Sequence, residues 1–444
     1  MGSIQSSQNA VAQRKPEEGY KVEEQPVDGQ PKTTVSVIEV VVPATETQTT
    51  PEQPEQSQKE TQSAESSKQS IQDTVVTDAA DAQQTVAPAH SVEDIHPSNP
   101  TPASAPSTTP IDLHSLAYDD LPDKRRVWPG APGSREEGLG RLCLLTPDVV
   151  AAAAASCIRT GQRVALNWDL TKLDVANFNR APTQHHITSL LGGAGFDDVY
   201  IFNPQQSSQW DGLRHFSSPY PGADQRLFYG GVTASDIADR ANTRIGMQHW
   251  AQEGIVGRGV LLDYAAYAET HLPGLQYKAL SDHAIPLRVL QDVARAQCVT
   301  FARGDIMFVR IGLTREWDTQ MSPADKLAYA QSANPQHAGV EGTEEMLRWI
   351  WDTGFAAVAG DAVSFEVYPP KTSYAREGGQ PDVPGLFMHE YLLPAWGVPV
   401  GELFDLEALS RMCAQHQRWT FFVTSSPLNM PGGVSSPPNC LAIF

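Results

Sequence analysis

Apolar and polar positions divide the chain near residue 115. Beyond that point the pattern turns periodic. Thr146-Pro-Asp-Val-Val, running into an Ala-rich stretch, predicts a helix. Thr146 caps it, Pro147 occupies the first helical position, and Asp148 suits the positive end of the dipole. Residues 163–170 alternate as a half-buried strand does, and 199–203 have strand character. The short apolar runs 256–264 and 306–311, with Gly nearby, predict buried strands. Residues 342–353 have helical spacing, with Met346 and Ile350 on one face, and 355–360 follow as a strand. A helix over 407–413 and a strand over 419–423 close the series. These elements interleave irregularly and without an internal repeat. The pattern predicts one mixed-sheet α/β domain over 116–444 rather than a regular doubly wound fold.

Residues 1–115 read differently. They hold 6 Lys/Arg against 17 Asp/Glu, 12 of the 34 prolines and one aromatic side chain, Tyr20. All nine Trp and all five Cys lie later in the chain. A segment so poor in large apolar groups cannot offset the entropy lost on ordering, which predicts a disordered, acidic, low-complexity tail. The apolar run 35–42 inside it is either a chance patch or a strand that docks on a partner.

The net charge of −20 argues against a nucleic-acid partner, because phosphate affinity rests on clustered Lys and Arg. The most apolar stretch, 142–157, is interrupted by Pro147 and Asp148, so no membrane partner is expected. The N-terminus lacks the layout of a secretion signal and fits a myristoylation pattern only loosely, through Gly2 and Ser6. Cys143, Cys157, Cys298, Cys413 and Cys440 are odd in number and far apart, which predicts neither a disulfide framework nor a zinc ribbon. The expectation is a cytoplasmic protein with free thiols.

The densest polar cluster runs from Gln205 to His215. On a strand, residues two apart share a face, so Gln205, Ser207, Gln209 and Asp211 would point to one side. Asp211 and His215 then supply a carboxylate and an imidazole suited to metal binding or to orienting a general base. The alternative is a turn-capping Asp and a surface His. His389 and Glu402 form a second pair, bracketing a loop with two prolines and a glycine that can return one towards the other. His185 and His186 read as surface residues, His249 as packed, and His283 and His337 as members of polar loops. No nucleophile elbow, P-loop, zincin or dinucleotide motif is present.

Several pieces keep one order along the globular part: Gln209-Trp-Asp-Gly-Leu-Arg-His215, Gly257-Arg-Gly-Val-Leu-Leu-Asp-Tyr264, Gly304-Asp305, Ala359-Gly-Asp361 with Ser364, His389-Glu-Tyr-Leu-Leu393 with Glu402, and Ser436-Pro-Pro-Asn439. Together they resemble the fungal branch of the cyclase superfamily, related to kynurenine formamidases and isatin hydrolases. Metal-dependent members carry H-x-G-T-H-x-D-x-P-x-H and a later His and Glu. The resemblance implies that Gln205 and Gln209 stand where two metal-binding histidines usually do. It also implies that Asp211, His389 and Glu402 either hold one divalent ion (Mn, Mg or Zn) or serve a site that works without metal, and that His215 is the acid/base residue, with Asp211 beside it. Gln205, Gln209 and Trp168 would then contact a small-molecule substrate, Trp168 by stacking on a planar ring. An amide oxygen is a weaker zinc ligand than imidazole, so a two-metal site is not expected.

Two functions of different class follow. One is a cyclase or hydrolase acting on a cyclic or carbonyl-containing metabolite, in fungal secondary metabolism and as a homodimer. The other is a non-catalytic small-molecule binder or scaffold that kept the fold. The doubled Gln favours the second, and the four retained ionisable groups favour the first.

Overall fold

The computed structural model describes residues 112–370 and 387–444, apart from 176, 179 and 221. The acidic tail up to residue 111, including the run 35–42, lies outside the described residues. The expected boundary at 116 is too late. Asp112 caps a short turn over Leu113–Ser115 by accepting from the His114 amide. The His114 ring, 5% exposed, lies 6.1 Å from the Trp351 ring, and Arg303 donates to the His114 carbonyl at 2.6 Å. One turn of chain carries no periodicity, so its anchoring was invisible in sequence.

Thirteen strands are present among the described residues: β1 (Arg163–Ala165), β2 (Gln184–Leu190), β3 (Gly195–Ile201), β4 (Gln209–Asp211), β5 (Ile255–Asp263), β6 (Ala284–Ile285), β7 (Ile306–Arg310), β8 (Gly339–Val340), β9 (Ala357–Gly360), β10 (Val400–Glu402), β11 (Thr420–Ser425), β12 (Ser435–Ser436) and β13 (Cys440–Ile443). Nine of them build a mixed sheet in the order β1-β13-β11-β5-β7-β9-β10-β4-β12. The central four, β5, β7, β9 and β10, run parallel, and the strands on either side pair antiparallel. Parallel neighbours need long crossovers, and the helices Leu287–Ala296 and Glu344–Thr353 lie within those connections.

Alternation along β7 shows why the sheet is buried on both faces. Met307 and Val309 join the core that includes those two helices, while Ile306 and Phe308 join the opposite core with Phe421 and Val423. The apolar runs at 256–264 and 306–311 read as buried strands for this reason. The strand expected over 163–170 is cut to three residues. Asn167 still bridges Phe404, but Trp168 turns away.

The Ala-rich stretch behaves as its caps predicted: helix Pro147–Cys157, with the Thr146 hydroxyl accepting from Val149. Arg135–Cys157 has the length and apolarity of a membrane span. It is nevertheless broken into a helix over Arg135–Leu139, a 3-10 stretch over Gly140–Leu144 and the capped helix. Gly140 lies at φ 57° and Pro147 opens the last piece.

Strands β2 and β3 pair only with each other. Their ribbon exposes Ile187, Leu190, Phe196, Val199, Tyr200 and Ile201, with Leu191 at the tip 91% exposed. His185 and His186 are on it and exposed, as expected.

Candidate functional site

The register of β4 on β10 sets the site. Glu402 pairs with Gln209, and Val400 with Asp211, so Gln209, Asp211 and Glu402 share one face. Gln209 Nε2 donates to Glu402 Oε2 at 2.7 Å. Between them Gly401 pairs with Trp210 and Ala359, and a Cβ there would lie 2.6 Å from that of Ala359. A side chain at 401 would push β10 from its neighbours and carry Glu402 off the site. Trp210 faces away and donates to the Ser425 hydroxyl.

Gln205 reaches the same face by another route. Residues Pro204–Gln206 form a 3-10 turn rather than the start of a strand. From it Gln205 Nε2 donates to Asp211 Oδ1, and its Oε1 accepts from Gln209 at 3.2 Å. Alternation therefore begins only at Gln209, and Ser207 does not join the cluster. Its hydroxyl donates to the carbonyls of Trp168 and Asp169.

His389 opens the helix His389–Leu392. Its Nε2 lies 3.2 Å from Glu402 Oε1 and 3.9 Å from Asp211 Oδ2. Its Nδ1 sits 2.8 Å from both oxygens of Glu366, which also accepts from the His389 amide. Glu366, 1% exposed, was missed in the sequence. It reaches His389 through a bridge to Val340, which leaves no mark in local pattern. His215 Nδ1 is 3.7 Å from Asp211 Oδ1. The two pairs read separately from sequence, Asp211–His215 and His389–Glu402, are thus one cluster.

The protonation states follow from this packing. Burial works against charge on His389, but Glu366, Asp211 and Glu402 overcome it and raise its pKa well above the ordinary value. Burial also works against charge on Asp211, but His215, His389 and Gln205 hold it below the usual carboxylate range. Burial, with Asp211 adjacent, pushes Glu402 up to about 7. Burial lowers the pKa of His215, with His389 and Arg180 adding to the effect against Asp211. His215 is therefore a neutral imidazole near neutral pH, able to accept a proton.

These groups open into a cavity of about 340 Å³. Gln205, His215, His389 and Glu402 line it together with Phe178, Phe216, Tyr368, Phe387, Val363, Ser364, His337 and Arg180. The Phe387 ring stacks on His389 at 5.0 Å, and Phe216 meets it edge-on at 5.5 Å. Trp168 is not in this lining. Its indole donates to Asp318 at 3.2 Å and packs edge-on against Trp317 at 6.2 Å, and the Ser208 hydroxyl holds its backbone amide. A ring fixed there is a core residue. His337, expected in a polar loop, is buried between Tyr329 and Ser364.

One nitrogen or carboxylate oxygen from each of Asp211, His389 and Glu402 lies within 4.8 Å of the others. Among the described residues Asp211 Oδ2 and Gln209 Oε1 are buried without a hydrogen-bond partner. Two buried oxygens without a partner, beside an imidazole whose far nitrogen is held by a carboxylate, fit the donor set of one divalent cation. The oxygen-rich set favours a hard ion.

The family model described as "Putative cyclase" matches residues 114–367, more than half of the chain. A solved structure described as a novel cyclase superposes with a TM-score of 0.57 at 26% identity, covering 70% of this chain and 97% of its own. Isatin hydrolase A from Labrenzia aggregata, bound to benzyl benzoate, gives 0.43 at 15% identity, covering 66% and 97%. Isatin hydrolase A from Ralstonia solanacearum gives 0.41 at 14%, covering 67% and 97%. The comparison with curated proteins finds no match. With the family model spanning more than half of the chain, Gln205 to Glu366 included, and the cyclase structure sharing the fold, the chain belongs to this cyclase family.

Proposed function

We propose that the protein is an enzyme that opens, closes, hydrates or dehydrates a small cyclic or carbonyl-containing metabolite, with one divalent cation held by Asp211, His389 and Glu402. The observation that carries this is the convergence of those three side chains at an aromatic-walled cavity, which His389, Glu402 and His215 line with Asp211 buried behind them. The cation would supply Lewis acidity toward a carbonyl or a bound water. The chain's own residues do the rest. His215 accepts a proton at the nitrogen facing the cavity and returns it to the leaving group. Asp211 orients that ring and stabilises its charged form. Glu366 fixes His389 so that Nε2 faces the cluster. Gln205 and Gln209 hold the two carboxylates in place, and Gln205, which lines the cavity, also stands where it can meet the substrate. Phe216 and Phe387 exclude water from one wall.

Cytoplasmic location fits the five free cysteines, three of them buried. The sequence motifs support placement in the fungal branch, and a role in secondary metabolism follows from that kinship alone. The homodimer belongs to this reading too. A two-stranded ribbon is marginal alone, and β2–β3, which exposes apolar side chains on both faces, gains most by covering a second copy.

A second reading has its own support. Gln205 and Gln209 spend their amide protons on Asp211 and Glu402, an arrangement that also steadies the carboxylates without metal. Elemental analysis of the full chain, with and without Asp211→Ala, separates the two. About one equivalent of metal in the wild type, lost in the variant, is the expected result. Metal-free protein that turns over no lactone or cyclic amide would instead mark a binder.

A further inference from the structure

Arg180 lines the cavity, yet the mechanism above gives it no task. Among the described residues no carboxylate lies within ion-pair distance of its guanidinium and no acceptor takes a hydrogen bond from it. Its recorded contact is with the Phe178 ring, 5.2 Å from the guanidinium carbon. Half-buried beside aromatic walls, Arg180 feels Glu402 across the cavity but, among the described residues, has no counter-charge at ion-pair distance.

The chain is held in shape to put it there. Asn177 donates to the carbonyls of Tyr329 and Ser332 at 2.8 and 3.1 Å, and its side-chain oxygen accepts from the Phe178 amide at 2.7 Å. Phe178 itself sits at φ 63°, in the left-handed region that a bulky side chain rarely occupies. Strain of this kind persists where the surroundings enforce it, often at ligand clamps. Here Asn177 anchors the chain just before Phe178, whose left-handed backbone comes two residues before Arg180, and both 178 and 180 line the cavity.

The walls describe the rest of the ligand. Phe178, Phe216, Tyr368 and Phe387 offer four rings to a flat, weakly polar body. A volume of about 340 Å³ is at the small end for ligand cavities, enough for one or two fused rings. A guanidinium matches the two oxygens of a carboxylate in one plane.

We infer that the cavity takes a small planar ring compound bearing a carboxylate, and that Arg180 holds that carboxylate. The placement of the reacting carbonyl at Asp211, His389 and Glu402 rests on the function proposed above; the anion subsite does not. Arg180 is then a specificity residue, selecting acids over their neutral counterparts.

The test is calorimetric titration of the chelator-treated full chain with benzoate and with benzamide, its neutral isostere. Chelation prevents the carboxylate from binding a metal instead. Benzoate is expected to bind roughly tenfold more tightly than benzamide. Arg180→Gln should abolish that preference at an unchanged Tm, and Arg180→Lys, which keeps charge without the planar fork, should retain only part of it. Failure of benzoate to bind, equal affinities in the wild type, or a preference surviving intact in either variant overturns the inference. A protein that carries no metal but still selects benzoate through Arg180 would refute the proposed metal chemistry and leave the subsite standing.

Discussion

Replacing Glu366 by Gln is the sharpest probe of how the cluster is organised. The carboxylate is almost wholly buried and meets His389 Nδ1 with both oxygens at 2.8 Å. A hydrogen bond to a charged acceptor contributes about 1.5–3 kcal/mol, and a neutral one about 0.5–1.5. Gln keeps the shape and one acceptor but removes the charge, a loss of roughly 1–1.5 kcal/mol on that basis. If His389 is a ligand, this loss weakens metal binding by about tenfold, the lower end of the range for changing a ligand's outer partner. Calorimetric titration of Mn²⁺ into chelator-stripped wild type and Glu366→Gln near neutral pH measures it directly. Glu366→Asp, which keeps the charge but withdraws it by one methylene, should fall between them. An affinity in folded Glu366→Gln within about twofold of the wild type would refute the argument. His389 would then be oriented by its packing on Phe387, or would not be a ligand.

Other outcomes follow from the same geometry. His215→Ala should cost at least about a hundredfold in turnover once a substrate is found, the usual lower limit for a general acid/base. With the side chain 21% exposed, Tm should hold, and near-full activity in the variant would remove His215 from the mechanism. Burial, helped by Arg141, lowers His114 to about 4, and burial with Arg180 lowers His337 to about 3. Unfolded histidine takes up its proton near 6.5, so stability is fully present above that pH and falls as pH drops toward 4 and 3, by up to about 1.4 kcal/mol per unit for each group. Urea midpoints at falling pH check this; a His114→Gln variant with an equally steep acid loss would contradict the assignment. Leu191→Asp with Phe196→Asp on the β2–β3 ribbon should turn a dimer into monomer in sedimentation at micromolar protein. A wild type already monomeric there, or a dimer indifferent to both charges, would count against self-association through the ribbon.

The sequence by itself determined the elements whose burial is periodic or whose ends are capped. Strands β5, β7, β9 and β11 and the helices Pro147–Cys157 and Glu344–Thr353 were legible because a two-sided core demands continuous apolar runs, because Thr146 and Pro147 mark a helix start, and because Met346 and Ile350 share a helical face. It also named Asp211, His215, His389 and Glu402 one by one, through chemistry and motif order. Only the tertiary structure decided that they are a single site, because β4 and β10 lie almost 200 residues apart and their register is set by packing such as Ala359 against Gly401. The same holds for Glu366, which reaches His389 through an isolated bridge, and for Arg180 and His337, which reach the cavity through a left-handed turn and a buried hydrogen-bond pair. Trp168 shows the converse. An aromatic at a suggestive position was claimed by the core, since one hydroxyl, Ser208, fixed its backbone and Trp317 its ring. Local pattern records what a residue does for its own element, whereas a site is made of contacts between elements, and those depend on how the whole sheet closes.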